Sequence, residues 1–241
     1  MMEELDLHIS DPERDPQPVA LVRVAAVAGL AVVVLGMILL GWLTEEVMEA
    51  GPRGVDLSFR NWLHQFASPG RTRAAFFFSL IGDRVLVALF VVSLIAFLLL
   101  RWRRAAGWLA VTMGGALALD LALKFGFHRP RPQPFFGTMP HTYSFPSGHA
   151  LFALCFFGVL AGLLADRINN RGLQAAIWAV AAALIGAIGL SRIYLGVHYP
   201  SDVIAGYLTA AVWVSTILVL DHVRVVRNSR KLLKRKTGED D

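Results

Sequence analysis

Six long apolar stretches divide the chain and constrain its fold more than any other feature. They lie at Val24–Leu43, Val85–Leu100, Ala105–Leu123, Ala150–Ala165, Gly172–Leu190 and Val203–Leu220. The runs are continuous rather than alternating, which favours helices over barrel strands, because a helix satisfies its own backbone hydrogen bonds inside lipid. Several runs are shorter than the roughly 20 residues that cross a bilayer, so we expect their helices to extend into flanking residues. The sequence therefore predicts an all-α integral membrane protein, a six-helix bundle.

Charge at the ends of the chain predicts its domain organisation and orientation. Residues 1–18 form an acidic N-terminal segment, residues 19–221 the six-span domain and residues 222–241 a basic tail. Arginines also follow the second and fourth spans, and the positive-inside rule places such loops in the cytoplasm. The arginines between Thr44 and Arg84 oppose this weakly. We expect a multi-pass protein of the plasma (inner) membrane, with both termini cytoplasmic and the first span retained rather than cleaved.

The basic charge also bears on the partners of the protein. A sequence pI near 9.8 is compatible with nucleic-acid binding. The excess charge, however, lies next to the apolar spans, where anionic lipid headgroups are the ordinary partner. We therefore expect membrane lipids, and not nucleic acid, as partners.

The segment Thr44–Arg84 differs from the other connections because it is long and mixes aromatic with charged residues. Trp62, Phe66 and Phe76–Phe78 lie among several arginines. This pattern predicts either an amphipathic helix at the outer interface or a folded cap on the bundle.

Three short polar strings lie at the ends of the apolar runs. Residues 124–132 read KFGFHRPRP, residues 146–149 read PSGH, and residues 191–202 read SRIYLGVHYPSD. The alternation of spans puts the loop between spans three and four on the same face as the loop between spans five and six. We therefore expect all three strings to converge at the outer face of the membrane.

The residue types in these strings meet the needs of a phosphoryl group, which are positive charge, close backbone donors, a nucleophile and an acid for the departing oxygen. Arg131 and Arg192 offer planar forks for pairs of oxygens, and Lys124 offers a point charge. Ser147 can donate its hydroxyl, and Gly148 lets the backbone approach at a helix N-terminus. These five residues are the candidate phosphate-binding residues.

Two histidines are candidates for the chemical step. His198 lies four residues before Asp202, so the carboxylate can hold one ring nitrogen protonated and leave the other free to attack phosphorus. His149, which follows Gly148 at a helix start, is then the proton donor to the leaving oxygen. A phosphohistidine intermediate, later hydrolysed by water, follows as a hypothesis.

The spacing of these residues resembles the signature of the type-2 phosphatidic acid phosphatase family, which reads K-x6-RP, then PSGH, then SR-x5-H-x3-D. The matching residues are Lys124, Arg131 and Pro132 in the first motif, Pro146, Ser147, Gly148 and His149 in the second, and Ser191, Arg192, His198 and Asp202 in the third. The order and intervals agree without a gap or substitution. The resemblance covers Val85–Leu220 and, by architecture, the first span.

This resemblance implies metal-independent dephosphorylation of a lipid phosphate without a cofactor. It makes the histidine of the third motif the nucleophile and that of the second motif the acid. The compact chain with short loops looks most like bacterial members, many of which act on undecaprenyl diphosphate, so that substrate is expected first. Phosphatidylglycerol phosphate, phosphatidate, diacylglycerol diphosphate and lipid A 1-phosphate are the alternatives.

Two further function classes remain open. A metallohydrolase would place a divalent ion among four of the histidines, His128, His141, His149 and His198, although the nearby cations would repel a metal. A lipid transporter or lipid-binding protein would keep the anion site without catalysis. Activity that resists a chelator would argue against a metallohydrolase. Lipid movement by a His198→Ala protein would favour a transporter.

Two charged residues near the strings need their own interpretation. Asp120 lies four residues before Lys124, so we expect an ion pair on one face of a helix. Arg129 occupies no position of the signature. We expect it to have a structural or headgroup-binding role.

Overall fold

The computed structural model describes residues 19–50 and 54–237, and places side chains for residues 27–47 and 54–226. Within this part of the chain all regular structure is helical. The helices are α1 (Val19–Ala50), α2 (Gly54–Gln65), α3 (Pro69–Leu99), α4 (Arg103–Phe127), α5 (Gly148–Ala165), α6 (Arg171–Tyr194) and α7 (Pro200–Thr237). Helices α3 and α5 each contain a π-helical turn, at Ile81–Val85 and Leu154–Gly158. The predicted acidic segment 1–18 lies outside the described residues.

Six of the described helices, all except α2, are long and apolar enough to cross a membrane. This confirms the predicted all-α, six-span architecture. The second span departs most from its predicted limits, because α3 begins at Pro69 rather than near Val85. Ser68 caps this helix by accepting a hydrogen bond from the amide of Arg71, and proline suits the first turn. Phe76–Phe78 therefore belong to a span and not to the outer segment.

Helix α2 is what remains of the outer segment between two spans. It is amphipathic, since Asp56 and Arg60 are buried while Val55 and Trp62 are exposed. It packs against α6 and α7. It therefore combines the two predicted alternatives, as an amphipathic helix that covers one end of the bundle.

Small residues let the first and last spans approach closely. A Cβ atom at Gly29 would lie 2.8 Å from Val219, and one at Gly36 would lie 2.5 Å from Val212. Apolar side chains gain little by leaving lipid for protein, so close backbone packing supplies the attraction between such helices.

The centre of the core lies among α3, α4, α5 and α6. Leu109 of α4, Phe156 of α5 and Ile188 of α6 have no exposed surface there. Interlocked side chains of this kind resist relative movement of the helices. The core therefore holds the helix ends that carry the three motifs in fixed positions.

The connection between α4 and α5, residues 128–147, has no regular structure but is firmly held. The amides of Phe135 and Phe136 donate to the carbonyl of Leu195 at 3.0 and 3.2 Å. Gly196 has φ near +79°, and a Cβ there would lie 2.6 Å from the nitrogen of Phe135, so glycine is required. Arg60 of α2 donates to the carbonyl of Gln133 in this loop and, at 3.4 Å, to the carbonyl of Gly196. The loop is thus anchored to two other elements beside the motifs.

Candidate active site

A cavity of about 590 Å³ opens at the end of the bundle where α4 ends, α5 begins, α6 ends and α7 begins. Its polar wall is formed by Lys124, Arg131, Gly148, His149, Arg192 and His198, and Asp83 and Thr142 also line it. The other two predicted site residues, Ser147 and Asp202, are fully buried behind this wall. The structure therefore brings the three motifs together around one space, and most of the remaining wall is apolar.

His198 is held from both sides of its ring. Its Nδ1 lies 3.3 Å from Oδ2 of Asp202, an oxygen that also accepts the amide of Tyr199 at 2.9 Å. Its Nε2 lies 2.8 Å from Nη1 of Arg131. A guanidinium can only donate, so Nε2 is the acceptor and the network assigns the ring proton to Nδ1. The unprotonated nitrogen is therefore the one on the Arg131 side.

The surroundings of His198 favour a neutral ring. Burial lowers the pKa of His198 well below its usual range, because the charged ring would lose its hydration. The positive charges of Arg131, Arg192 and Lys124 lower it further. A neutral imidazole keeps the lone pair that a nucleophile needs.

Lys124 is positioned by the predicted partner on its own helix. Its Nζ donates to Oδ2 of Asp120 at 2.8 Å, which confirms the expected ion pair. A Cβ at Gly148 would lie 2.8 Å from Oδ1 of Asp120 and 3.2 Å from Nζ of Lys124. Any larger residue would displace this pair, so glycine lets the start of α5 approach the ammonium group.

The two guanidinium groups have different supports. Arg131 donates to the carbonyl and hydroxyl oxygens of Thr142 at 2.6 and 2.8 Å. Arg192 donates through Nη1 to the hydroxyl of Ser79 on α3. Among the described residues, Nε of Arg192 and Oγ of Ser147 are buried without a hydrogen-bond partner. Such groups are costly to leave unpaired, and they are available to an anionic ligand.

His149 lies in the first turn of α5 and lines the cavity. The π-helical turn of α3 packs against it. A Cβ at Gly82 in that turn would lie 3.1 Å from Cδ2 of His149 and 2.5 Å from Ile188. The absence of a side chain at Gly82 thus makes room for the His149 ring beside the cavity.

Arg129 is buried and does not reach toward headgroups, which agrees with the structural alternative for it. It donates to Oδ1 of Asp202 and, at 2.8 Å, to Oγ of Ser201. Its Nη2 donates to Oδ2 of Asp56 on α2 at 3.0 Å. Asp56 and Ser201 were not predicted from the sequence, because neither is a fixed position of the signature. The one signal that could have revealed Asp56 is its position as an acidic residue in the amphipathic segment.

The metallohydrolase alternative finds no support in the donor set. His128 and His141 are exposed and do not line the cavity. No group of three or more His, Cys, Asp or Glu among the described residues is placed to hold a metal ion. Three cationic side chains instead surround His149 and His198, an arrangement that suits an anion.

Sequence comparison relates this site to known proteins. The family model described as the PAP2 superfamily matches residues 105–225, half of the chain and all three motifs. Phosphatidylglycerophosphatase B of Bacillus subtilis is 34% identical over 92 residues, 37% of this chain and 44% of that protein. Lipid A 1-phosphatase of Rhizobium etli is 34% identical over 131 residues, 51% of this chain and 52% of that protein. The chain thus spans about half the length of these curated relatives.

Structure comparison supports the architecture. A transmembrane PAP2-type phosphatidylglycerolphosphate phosphatase from Bacillus subtilis has a TM-score of 0.71, covering 80% of this chain and 96% of that chain at 21% identity. At this level of identity the likeness shows the fold alone. The six-span bundle is therefore a fold that membrane phosphatases use.

Proposed function

The chain belongs to the PAP2 superfamily, and we propose that it is a membrane phosphatase that hydrolyses the phosphate or diphosphate of a lipid without a metal ion or cofactor. One observation carries this proposal. Buried His198 donates through Nδ1 to Asp202 and keeps an unprotonated Nε2 beside a cavity with three cations. The names of the curated relatives, which are lipid phosphatases, support the same activity.

Binding of the phosphoryl group frees the nucleophile. In the structure Arg131 donates to Nε2 of His198, so the lone pair is engaged. Nonbridging phosphate oxygens are stronger acceptors for a guanidinium, and they take over this donor. Arg192 and Lys124 neutralise the remaining charge, while the α5 N-terminus at Gly148 favours the anion. The substrate itself thus activates the ring.

The chemical step then follows from the positions of the two histidines. Nε2 of His198 forms a bond to the terminal phosphorus as the bond from that phosphorus to the leaving oxygen breaks, and His149 gives that oxygen a proton. The leaving oxygen belongs to the lipid alcohol in a monophosphate and to the lipid monophosphate in a diphosphate. Asp202 stabilises the positive ring. A water molecule, whose proton passes to His149, next attacks phosphorus, the bond to Nε2 breaks, and inorganic phosphate leaves.

The apolar wall of the cavity supports a lipid as the substrate. It is formed by Leu86, Val87 and Phe90 of α3 and by Met113, Gly114 and Leu117 of α4. Val87 and Leu117 are also more than half exposed on the surface of the bundle. The cavity therefore continues as a groove between α3 and α4, where a lipid tail lies while its phosphate occupies the polar wall.

A side chain placed in this groove is expected to discriminate between long and short substrates. Gly114 lines the groove, and a Cβ there meets nothing within 4 Å. Gly114→Phe is expected to raise KM for a long-chain lipid phosphate about tenfold, or about 1.4 kcal/mol, because the ring competes with the tail. KM for a short-chain phosphate should stay nearly constant, and steady-state kinetics on both substrates measures the difference.

The matched control is Gly107→Phe, on the same helix in similarly open space but away from the groove. It is expected to leave both KM values unchanged. Equal changes for long and short substrates in the Gly114→Phe protein would contradict tail binding in this groove.

Among lipid substrates we place undecaprenyl diphosphate first. A diphosphate carries more negative charge than a monophosphate, and the cavity presents three cations, Lys124, Arg131 and Arg192. A single polyisoprenyl chain also suits a single groove. Phosphatidylglycerol phosphate, phosphatidate, diacylglycerol diphosphate and lipid A 1-phosphate are the alternatives.

Phosphate release in the presence of a chelator tests the proposed function. Purified protein in detergent is expected to release phosphate from at least one of these lipids at the same rate with and without EDTA, because protein cations neutralise the phosphate. Rates on the lipid panel rank the substrates. A rate that collapses in EDTA and returns with a divalent ion would favour a metal enzyme instead.

We also propose that the site faces outward from a plasma membrane, the inner membrane in a bacterium, with both termini in the cytoplasm. Arginines at the ends of α3 and α5 and at the starts of α4 and α6 lie at the opposite end of the bundle from the cavity. They are Arg101, Arg103, Arg104, Arg167 and Arg171. The positive-inside rule supports a cytoplasmic location for that end.

A further inference from the structure

A series of buried polar contacts connects the nucleophile to helix α2. Oδ1 of Asp202 accepts from Arg129, and Oδ2 of Asp56 accepts from Arg129 at 3.0 Å. Ser201 joins the same group, since its hydroxyl donates to Asp56 at 2.6 Å and its amide donates to Asp56 at 3.0 Å. None of these four residues is more than 7% exposed. The contacts therefore run from His198 through Asp202 and Arg129 to Asp56 without access to solvent.

Three members of this group, Arg129, Ser201 and Asp56, lie outside the proposed catalytic machinery, since they belong to no motif role given to it and do not line the cavity. Asp56 also precedes residues 105–225, the part of the chain that matches the family. A buried set of charges is costly to form, so packing alone is a poor explanation for it.

We infer that Asp56 and Arg129 are positioning residues that hold the Asp202 carboxylate, and through it the ring of His198. The inference rests on the proposed function. One oxygen of Asp202 is shared by His198 and the amide of Tyr199, and the other is bound by Arg129. With both oxygens fixed, the carboxylate cannot rotate away from Nδ1.

Arg129 in turn depends on Asp56. Its guanidinium stacks on the ring of Tyr199, 4.4 Å from the ring centre, which limits movement out of the plane. Asp56 binds Nη2 of this guanidinium, while Asp202 binds Nη1. Helix α2 contains none of the three motifs, but through Asp56 it contributes to the geometry of the nucleophile.

The charges of the group predict how its variants behave. Two carboxylates and one guanidinium leave a single negative charge beside His198. The other charged or titratable groups near them are Arg131 and His198 from the loops, Tyr199 before α7, and Arg60 of α2, which faces Tyr199. Without Arg129, two buried carboxylates repel each other and the pair takes up a proton more readily. A protonated Asp202 no longer orients His198.

Arg129→Gln is therefore expected to lower kcat about 10- to 100-fold at neutral pH, with a loss that shrinks as the pH rises and the carboxylates ionise. Asp56→Asn alone is expected to lower kcat about tenfold, because its amide hydrogens oppose the donors of Arg129 and Ser201. The double variant Asp56→Asn with Arg129→Gln restores the single negative charge. It is expected to be more active than Arg129→Gln alone.

Arg60→Gln is the matched control. Arg60 is buried on α2, the helix that carries Asp56, but it binds loop carbonyls rather than the carboxylates of Asp56 and Asp202. The variant is expected to lose a similar fraction of activity at every pH. Arg129→Lys keeps the charge and is expected to keep the wild-type pH profile, which guards against a Gln variant that fails to fold.

Two readouts separate this inference from the proposed function. Turnover by the wild type in the same assay tests the proposed function. NMR of labelled histidine reports the His198 tautomer without turnover, and Nδ1–H is expected in the wild type but a mixture in Arg129→Gln. Additive losses in the double variant, or a pH-independent loss and unchanged tautomer in Arg129→Gln, would overturn the inference.

Discussion

Replacing His198 by alanine is expected to lower kcat by at least about 10⁴-fold, because the proposed nucleophile is lost and no other imidazole among the described residues is held in the same way. In the wild type the ring is fixed by Asp202 on one side and Arg131 on the other. A water molecule in its place would lack both the fixed position and the lone pair on nitrogen. Phosphate release from the preferred lipid measures the loss.

His141→Ala is the control for this experiment. His141 is exposed on the loop before α5 and does not line the cavity, so its removal is expected to leave kcat unchanged. Turnover that survives in His198→Ala would contradict the assignment of the nucleophile. Lipid movement by that variant without hydrolysis would instead favour a transporter.

Replacing His149 by alanine is expected to lower kcat by an amount that depends on the leaving group. For an alkyl phosphate the departing oxygen is strongly basic and needs a proton, so the expected loss is about 10²- to 10⁴-fold. For an aryl phosphate with an acidic phenol the departing oxygen needs little help. The expected loss there is small, and kcat on the two substrates measures the contrast.

The comparison separates proton donation from a structural role. His149 packs beside Gly82 and Ile188, so a structural defect would reduce the two rates alike. Equal losses on alkyl and aryl phosphates would therefore contradict the role of His149 as the acid. Loss on the alkyl substrate alone would support it.

The six spans were predictable because continuous apolar runs have few alternatives inside lipid. The start of the second span was not predictable from the sequence, since Phe76–Phe78 follow several arginines and resemble an interfacial segment. Its true start depends on the cap at Ser68 and on packing of α3 against α6. Helix limits that depend on capping and tertiary contacts are weakly encoded in local hydropathy.

The motif residues around the cavity were also predictable, because fixed spacing at the ends of spans brings them to one face. The contribution of α2 to the site was not predictable. Asp56 reaches Arg129 across 73 positions of sequence, and neither residue belongs to the signature. Such a contact is set by how α2 packs over α7, which no short motif records.

The most direct test of the phosphohistidine mechanism is to quench the enzyme in alkali during turnover of a ³²P-labelled lipid phosphate and to locate the label. A phosphoramidate, stable to alkali and labile to acid, is expected in the peptide that contains His198, and no label is expected in His198→Ala. A label on another residue, or turnover at the wild-type rate in His198→Ala, would contradict this mechanism.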